Sequence, residues 1–284
     1  MDALTAVPGS SPSGAARRAD GNLCLRPGRL LAGRVRDYSG YEEQLAAPVQ
    51  RREMPSSRVT LVVSFGDPVE VPRSRYGVPG APCACLVSGP HDRVARTRIR
   101  GAQHGVLMRL RPFDAYSLLG VPMHLISNRF VNLETIFGRS SLRLTEQLAE
   151  ARDWTRRFDI LNTELAARIA TGPAPDPAVE WAWRRLRATA GNTRISALAE
   201  HLGWSRRHLV RKFRQQVGLS PKTAALIFRF ERAMALLDDR SRSLADVAAE
   251  AGYADQAHFS RAVHDLTGHA PGEFRTTPLM RALG

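Results

Sequence analysis

Apolar positions along this chain change their period at about residue 112. Between residues 25 and 112 they fall in short runs broken by glycine and proline, the pattern of strands joined by turns. The strongest run is Val59-Thr60-Leu61-Val62-Val63-Ser64-Phe65, closed by the turn residues Gly66-Asp67-Pro68. Cys83-Ala84-Cys85-Leu86-Val87 and Gly105-Val106-Leu107-Met108-Arg109-Leu110 predict two further strands, punctuated by Gly80, Gly89-Pro90, Gly101 and Pro112. These runs predict a small antiparallel sheet or barrel, in which Phe65, Leu86 and Met108 would line either a pocket or a core. Beyond Pro112 the period turns helical. Leu144, Leu148 and Ala151 share one face, and Trp154, Phe158, Leu161, Leu165 and Ile169 recur at steps of three or four. Such a stripe packs either on its own sheet or against a second copy of the chain.

Three prolines in the seven residues 171–177 end that helical pattern, because proline removes a donor and clashes inside a helix. The expected organisation is therefore a flexible tail over residues 1–22, rich in Ala, Gly, Ser and Pro, and an α+β N-terminal domain over 23–170. A linker over 171–177 and an all-α domain over 178–284 follow. The last of these is expected to fold by itself.

That C-terminal stretch holds an internal repeat. His208 and His258, Arg211 and Arg261, Gly218 and Gly268, and Pro221 and Pro271 are each 50 residues apart. The helix preceding each turn is offset by 49, so the second turn is one residue longer. In the first copy Ile195, Leu198, Ala199 and Leu202 make one apolar face, and Gly203 stops the helix where a left-handed residue is needed. Ser205 can cap a second helix that Leu209 and Phe213 anchor inward. A step of about 100° per residue then puts Arg207, Arg211 and Arg214 outward. In the second copy Ser243 and Asp246 have capping-box spacing, Phe259, Val263 and Leu266 point inward, and Ala257, Arg261 and His264 point outward. Each copy has the pattern of a helix-turn-helix. Arginines at the start of an exposed helix suit the major groove, since a guanidinium can fork onto guanine O6 and N7.

Charge points the same way. The 284 residues carry 41 Lys plus Arg and 27 Asp plus Glu, a net of +14, and only Lys212 and Lys222 are lysines. A polyanionic partner is favoured, nucleic acid before membrane surface. The excess is not confined to one half, with +7 in residues 1–177 and +7 in residues 178–284. A hydrophobic fraction of 43% supports a packed core. No apolar run approaches the ~18 residues of a membrane span. Cys24, Cys83 and Cys85 have neither zinc nor redox-motif spacing and read as reduced thiols of a cytoplasmic protein.

The segments Ser205-Arg206-Arg207-His208-Leu209-Val210-Arg211-Lys212-Phe213, Gly218-Leu219-Ser220-Pro221, Ala248-Ala249-Glu250-Ala251-Gly252-Tyr253, Phe259-Ser260-Arg261 and Gly268-His269-Ala270-Pro271-Gly272-Glu273-Phe274-Arg275 carry a family signature. Over about residues 178–276 the chain resembles the tandem helix-turn-helix domain of AraC/XylS transcription regulators. Val263 stands where that family usually has Phe, and Ala257 fills a slot that is often polar. The resemblance implies a sequence-specific regulator whose DNA-contacting residues are Arg206, Arg207, Val210, Arg211 and Arg214 in one recognition helix. Gln256, Ala257, Ser260, Arg261 and His264 are their counterparts in the other. A helix of about 18 residues between Pro221 and Asp238 would span roughly 27 Å, enough to hold both recognition helices about one DNA turn, ~34 Å, apart. Of the two helices, the first is expected to dominate specificity. Residues 106–138 also resemble, less specifically, the companion domain of some actinobacterial-type regulators of the family.

In such regulators the N-terminal half senses a small molecule or mediates dimerisation, and RNA polymerase is a further expected partner. The competing class is a bifunctional enzyme-regulator with a catalytic or alkyl-accepting N-terminal domain. His91, His104 and His124 are too far apart in sequence for a cupin-type metal site. Pro82-Cys83-Ala84-Cys85 offers no adjacent histidine to activate a thiol, and no phosphate loop, nucleophile elbow or kinase signature is present. The sequence thus points to no cofactor, no catalytic residue and no metal.

Overall fold

The computed structural model describes residues 16–17, 23–25, 31, 35–71 and 82–276. Its N-terminal part is one antiparallel sheet of seven strands: β1 (Ala16–Arg17), β2 (Leu23–Leu25), β3 (Val35–Glu53), β4 (Val59–Ser64), β5 (Cys85–Ser88), β6 (Ala95–Leu110) and β7 (Phe130–Asn132). Their order is β1-β2-β3-β6-β4-β5-β7. Among the described residues the sheet keeps two edges, β1 and β7, which is the open-sheet form of the two expected. Of residues 1–22 only Ala16–Arg17 are described, and they pair with Leu23 and Cys24. The rest of that stretch and residues 277–284 lie outside the described residues.

The two longest strands, β3 and β6, form the spine of the sheet. They pair from Val35↔Leu110 to Glu53↔Ala95, with breaks in register between Val35 and Tyr38 and, more widely, between Leu45 and Val49. Pro48 falls inside the wider break, where no ladder donor is required of it. Opposite, Gly101 takes φ +63° and the Asp67 carboxylate accepts a bond from the Ala102 N–H at 2.8 Å.

On one face Val59, Leu61 and Val63 of β4 and Val106, Met108 and Leu110 of β6 meet the helices. On the other, Leu86, Ile99, Ala95 and Phe130 form a smaller cluster. Strand alternation puts Met108 and Phe65 on the first side and Leu86 on the second. The three do not line a common pocket, as Phe65 packs against Trp154 and His104.

Pro112 opens α1 (Pro112–Leu119) at the position where its missing N–H costs nothing. A 3-10 turn (Met123–Leu125), α2 (Leu133–Phe137), α3 (Arg139–Glu150) and α4 (Trp154–Thr171) follow. The stripe of α4 is not a free seam. Phe158, Leu161, Leu165 and Ile169 are buried among the sheet residues of the same chain, and Phe158 stacks on Tyr38 at 5.6 Å. Trp154 covers Gly40 so closely that a Cβ there would come within 2.5 Å of the indole.

Seven further helices follow among the described residues: α5 (Pro177–Ala188), α6 (Ile195–His201), α7 (Arg206–Val217), α8 (Pro221–Leu237), α9 (Leu244–Glu250), α10 (Gln256–Thr267) and α11 (Glu273–Thr276). They build two apolar clusters. One joins α5, α6, α7 and the start of α8 around Trp183, Leu209, Phe213 and Phe228. The other joins the end of α8 to α9, α10 and α11 around Phe230, Val247, Phe259 and Phe274. No helix among the described residues is long and apolar enough to cross a membrane.

Candidate nucleic-acid interface

Each cluster of the C-terminal region presents one helix-turn-helix, and the two are built alike. α6 ends as expected at Gly203, φ +64°, with the Trp204 N–H returning to the Ala199 carbonyl at 2.9 Å. α9 ends at Gly252, φ +83°, with the Tyr253 N–H returning to the Ala248 carbonyl, also at 2.9 Å. The Ser205 hydroxyl then accepts from the His208 N–H at 3.2 Å and caps α7. In the second copy Ala254 is the extra turn residue, and the Asp255 carboxylate takes over the cap, accepting from the His258 N–H at 2.6 Å. Sequence reasoning did not single out Asp255, although its register with Ser205, 50 residues earlier, was available as a signal.

The repeated histidines brace the turns. His208 lies edge-on to Trp204 at 4.5 Å and His258 edge-on to Tyr253 at 5.4 Å. Burial pushes the Tyr253 phenol up to about 12, and the Arg229 guanidinium sits 5.6 Å from its ring. Leu209, Phe213, Phe259 and Val263 are fully buried, so the inward anchors stand where the periodicity put them. Val263, the departure from the family pattern, fills its place in the core beside Phe259.

Every expected contact residue is at the surface or partly so. Arg206, Arg207, Arg211 and Arg214 are exposed on α7 and Val210 is half-buried beside them. Gln256, Ala257, Arg261 and His264 are exposed on α10, with Ser260 half-buried. Arg206, Arg207 and Arg214 have no ion pair among the described residues, and Arg211 reaches only the His208 ring at 3.3 Å. These guanidiniums project from the first three turns of α7, where a groove would meet them. Between the two copies α8 runs 17 residues, about 26 Å at 1.5 Å per residue. The length expected from the sequence is therefore present within one residue.

The second copy is also tied together by carboxylates. Ser243 and Asp246 form the expected capping box, with reciprocal bonds of 3.1 Å between each backbone N–H and the other side chain. Hydrogen bonds from Ser243 hold the Asp246 carboxyl below the ordinary aspartate value, those from Ser241 do the same for Asp239, and the Ala270 N–H holds Glu273 below the ordinary glutamate value. Groups depressed in the folded state stabilise it above their unfolded values, and that contribution fades as pH falls through the folded ones. On acidification below about pH 4, α9 to α11 are therefore expected to lose hydrogen-exchange protection before α5 to α7. Equal loss in both copies would contradict this. Replacing Ser243 by Ala removes the cap of α9 and should cost about 1 kcal/mol in denaturant unfolding.

The N-terminal histidines and thiols do not converge. His91 is buried and its Nδ1 lies 3.0 Å from the Gly89 carbonyl, His104 packs between Phe65 and Trp154, and His124 is exposed. No group of three or more potential metal ligands occurs among the described residues. Burial pushes the Cys83 and Cys85 thiols up, away from nucleophilic thiolate.

Two family models match the chain. A helix-turn-helix domain covers residues 198–277, and a domain of unknown function covers residues 24–132. The arabinose operon regulatory protein of Escherichia coli strain K12 is 36% identical over 84 residues, which are 30% of this chain and 29% of that protein. The Msm operon regulatory protein of Streptococcus mutans is 33% identical over 82 residues, 29% of this chain and 30% of its own length. The chain thus spans less than a third of these relatives. Among solved structures, unsaturated fatty acid bound ToxT from Vibrio cholerae aligns with 84% of this chain and 94% of its own at 11% identity, with a TM-score of 0.48.

Proposed function

We propose that this chain, whose C-terminal region is an AraC-type helix-turn-helix domain, is a sequence-specific DNA-binding transcription regulator. It reads two successive major grooves, α7 entering one and α10 the next. The observation that carries this reading is the pair of helix-turn-helix copies in register, one presenting Arg206, Arg207, Arg211 and Arg214 at the surface with no carboxylate partner among the described residues. The 17-residue helix between them, about 26 Å long, supports a spacing of about one DNA turn. Bidentate arginine contacts would supply base readout, and the remaining cations would hold phosphates.

Residues 23–170 serve as the sensing or dimerising domain, with residues 171–177 joining it to the DNA-binding domain over 178–284. Besides double-stranded DNA, the candidate partners of this cytoplasmic regulator are a small-molecule effector or a second copy of the chain, according to whether that domain senses or dimerises, and RNA polymerase. The N-terminal region is not a catalyst. The upward shift of both described thiols and the regulatory names of the relatives support that assignment. Selection of bound duplexes from a randomised pool by the full chain tests the proposal. Two preferred blocks about ten base pairs apart are expected, and binding that shows no sequence preference would refute it.

A further inference from the structure

The two helix-turn-helix units are attached to the N-terminal sheet domain in physically different ways. The first unit shares its core with that domain. Phe113 of α1 is 2% exposed and belongs to the same cluster as Val179, Leu209 and Phe213, its ring edge-on to Trp183 at 5.7 Å. The segment after α4 is stitched down on both sides. Ser117 Oγ donates to the Pro173 carbonyl at 2.9 Å, and the Asp176 N–H donates to the buried Gln216 side chain at 2.9 Å. Gly218, at the end of α7, lies so close to the 3-10 turn that a Cβ would come within 2.2 Å of Ser127 Oγ.

The second unit is held by polar contacts. Ser57 donates from its N–H and its hydroxyl to Glu231, at 3.2 and 3.1 Å. Arg52 Nη1 donates to His269 Nε2, and the Val94 N–H donates to the Leu266 carbonyl at 3.2 Å. Met54 rests partly buried against the cluster, but no fully buried member of that cluster comes from the N-terminal domain among the described residues. Parting the first unit would expose apolar surface to water, whereas the polar contacts of the second can be replaced by water at little net cost.

Charge divides the units in the same sense. Residues 178–219 carry nine Lys plus Arg and two Asp plus Glu, a net of +7. Residues 238–276 carry four and seven, a net of −3. Three of those four cations are engaged within the unit. Arg242 pairs with Asp239 and Glu250, Arg240 donates to the Arg275 carbonyl, and Arg275 donates to the Arg242 carbonyl. Arg261 alone faces outward from α10 without a partner among the described residues, and Asp255 stands at that helix's start. Phosphate attraction therefore acts on the first unit and opposes the second.

We propose that the two units do different work. The first is a fixed anchor that supplies the electrostatic affinity for DNA. The second is a detachable reader, released or held by the N-terminal domain through Arg52–His269 and Ser57–Glu231, and it is the unit through which that domain regulates binding. This inference rests on the DNA-binding reading above.

The test uses the full chain and the double variant Arg52→Ala/Ser57→Ala, both residues lying outside the recognition helices. Hydrogen exchange should rise about tenfold over residues 238–276 and stay unchanged over 178–219. Equal change in both stretches, or none, overturns the proposal. Salt titrations on one selected duplex form the second arm. Arg206→Ala, one of the α7 cations left for phosphate, should lower the slope of log K against log salt by about one, while Arg261→Ala should leave it within a third of a unit. An Arg261 effect as large as that of Arg206 overturns the anchor assignment. A wild-type chain that prefers no duplex would instead sink the regulator reading itself, a result distinct from either of these.

Discussion

Arg207→Ala combined with Arg211→Ala is expected to weaken binding to a selected operator by about 2–6 kcal/mol, at about 1–3 kcal/mol for each bidentate contact. The two residues are one helical turn apart on the exposed face of α7, with Arg207 in its first turn. Neither is engaged by a carboxylate among the described residues, so no ion pair has to break before a base edge is met. The preference should relax at the one or two base pairs nearest each guanidinium. Phosphate contacts would instead weaken every sequence alike and flatten the salt slope. Competition against a randomised pool, with circular dichroism to establish folding, separates these cases. Unchanged sequence preference in the folded double variant would remove both residues from base readout.

Leu161→Asn with Leu165→Asn is the change expected to cost most in stability. Both leucines are fully buried between α4 and the sheet. Truncating a buried Leu to Ala costs about 2–5 kcal/mol, and two such losses reach the about 5–15 kcal/mol by which domains are stable. An asparagine amide buried there without a partner adds a desolvation penalty. Loss of the cooperative unfolding transition of the sheet domain is the expected readout. A folded monomer arising from a wild-type dimer would instead reinstate the stripe as an intersubunit seam. Either outcome is read from chemical denaturation alongside light scattering.

The helix-turn-helix units were legible in the sequence because their signals are local. Gly203 and Gly252 need a positive φ, Ser205 and Ser243 cap the next turn of backbone, and Leu209, Phe213, Phe259 and Val263 follow a 3.6 period. The internal repeat doubled that information. β3 was not legible, although it is the longest strand at 19 residues. Its sequence Val-Arg-Asp-Tyr-Ser-Gly-Tyr-Glu-Glu-Gln-Leu-Ala-Ala-Pro-Val-Gln-Arg-Arg-Glu is mostly polar, its apolar stretch Leu45–Val49 is poor in strand formers, and Pro48 argues against a strand until the bulge that hosts it is seen. Its extension comes from pairing with β6, whose partner residues lie 42 to 75 positions along the chain and of which the apolar pattern marks only the last six residues.

The α4 stripe marks the boundary between the two kinds of information. Periodicity specified that Phe158, Leu161, Leu165 and Ile169 share a face, since spacing along one helix is a local property. What covers that face is settled by the long-range antiparallel ladder that brings Tyr38, Val63 and Met108 to it. Phe113 shows the same division. Its position after Pro112 predicts a helix, but only the packed structure makes it part of a core built from α5, α7 and α8. The sequence by itself determined two capped, repeated helix-turn-helix units, because caps, glycines and helical period act within a few residues. Tertiary structure decided which faces are covered and how each unit is held to the sheet domain, because burial depends on surfaces brought together from distant parts of the chain.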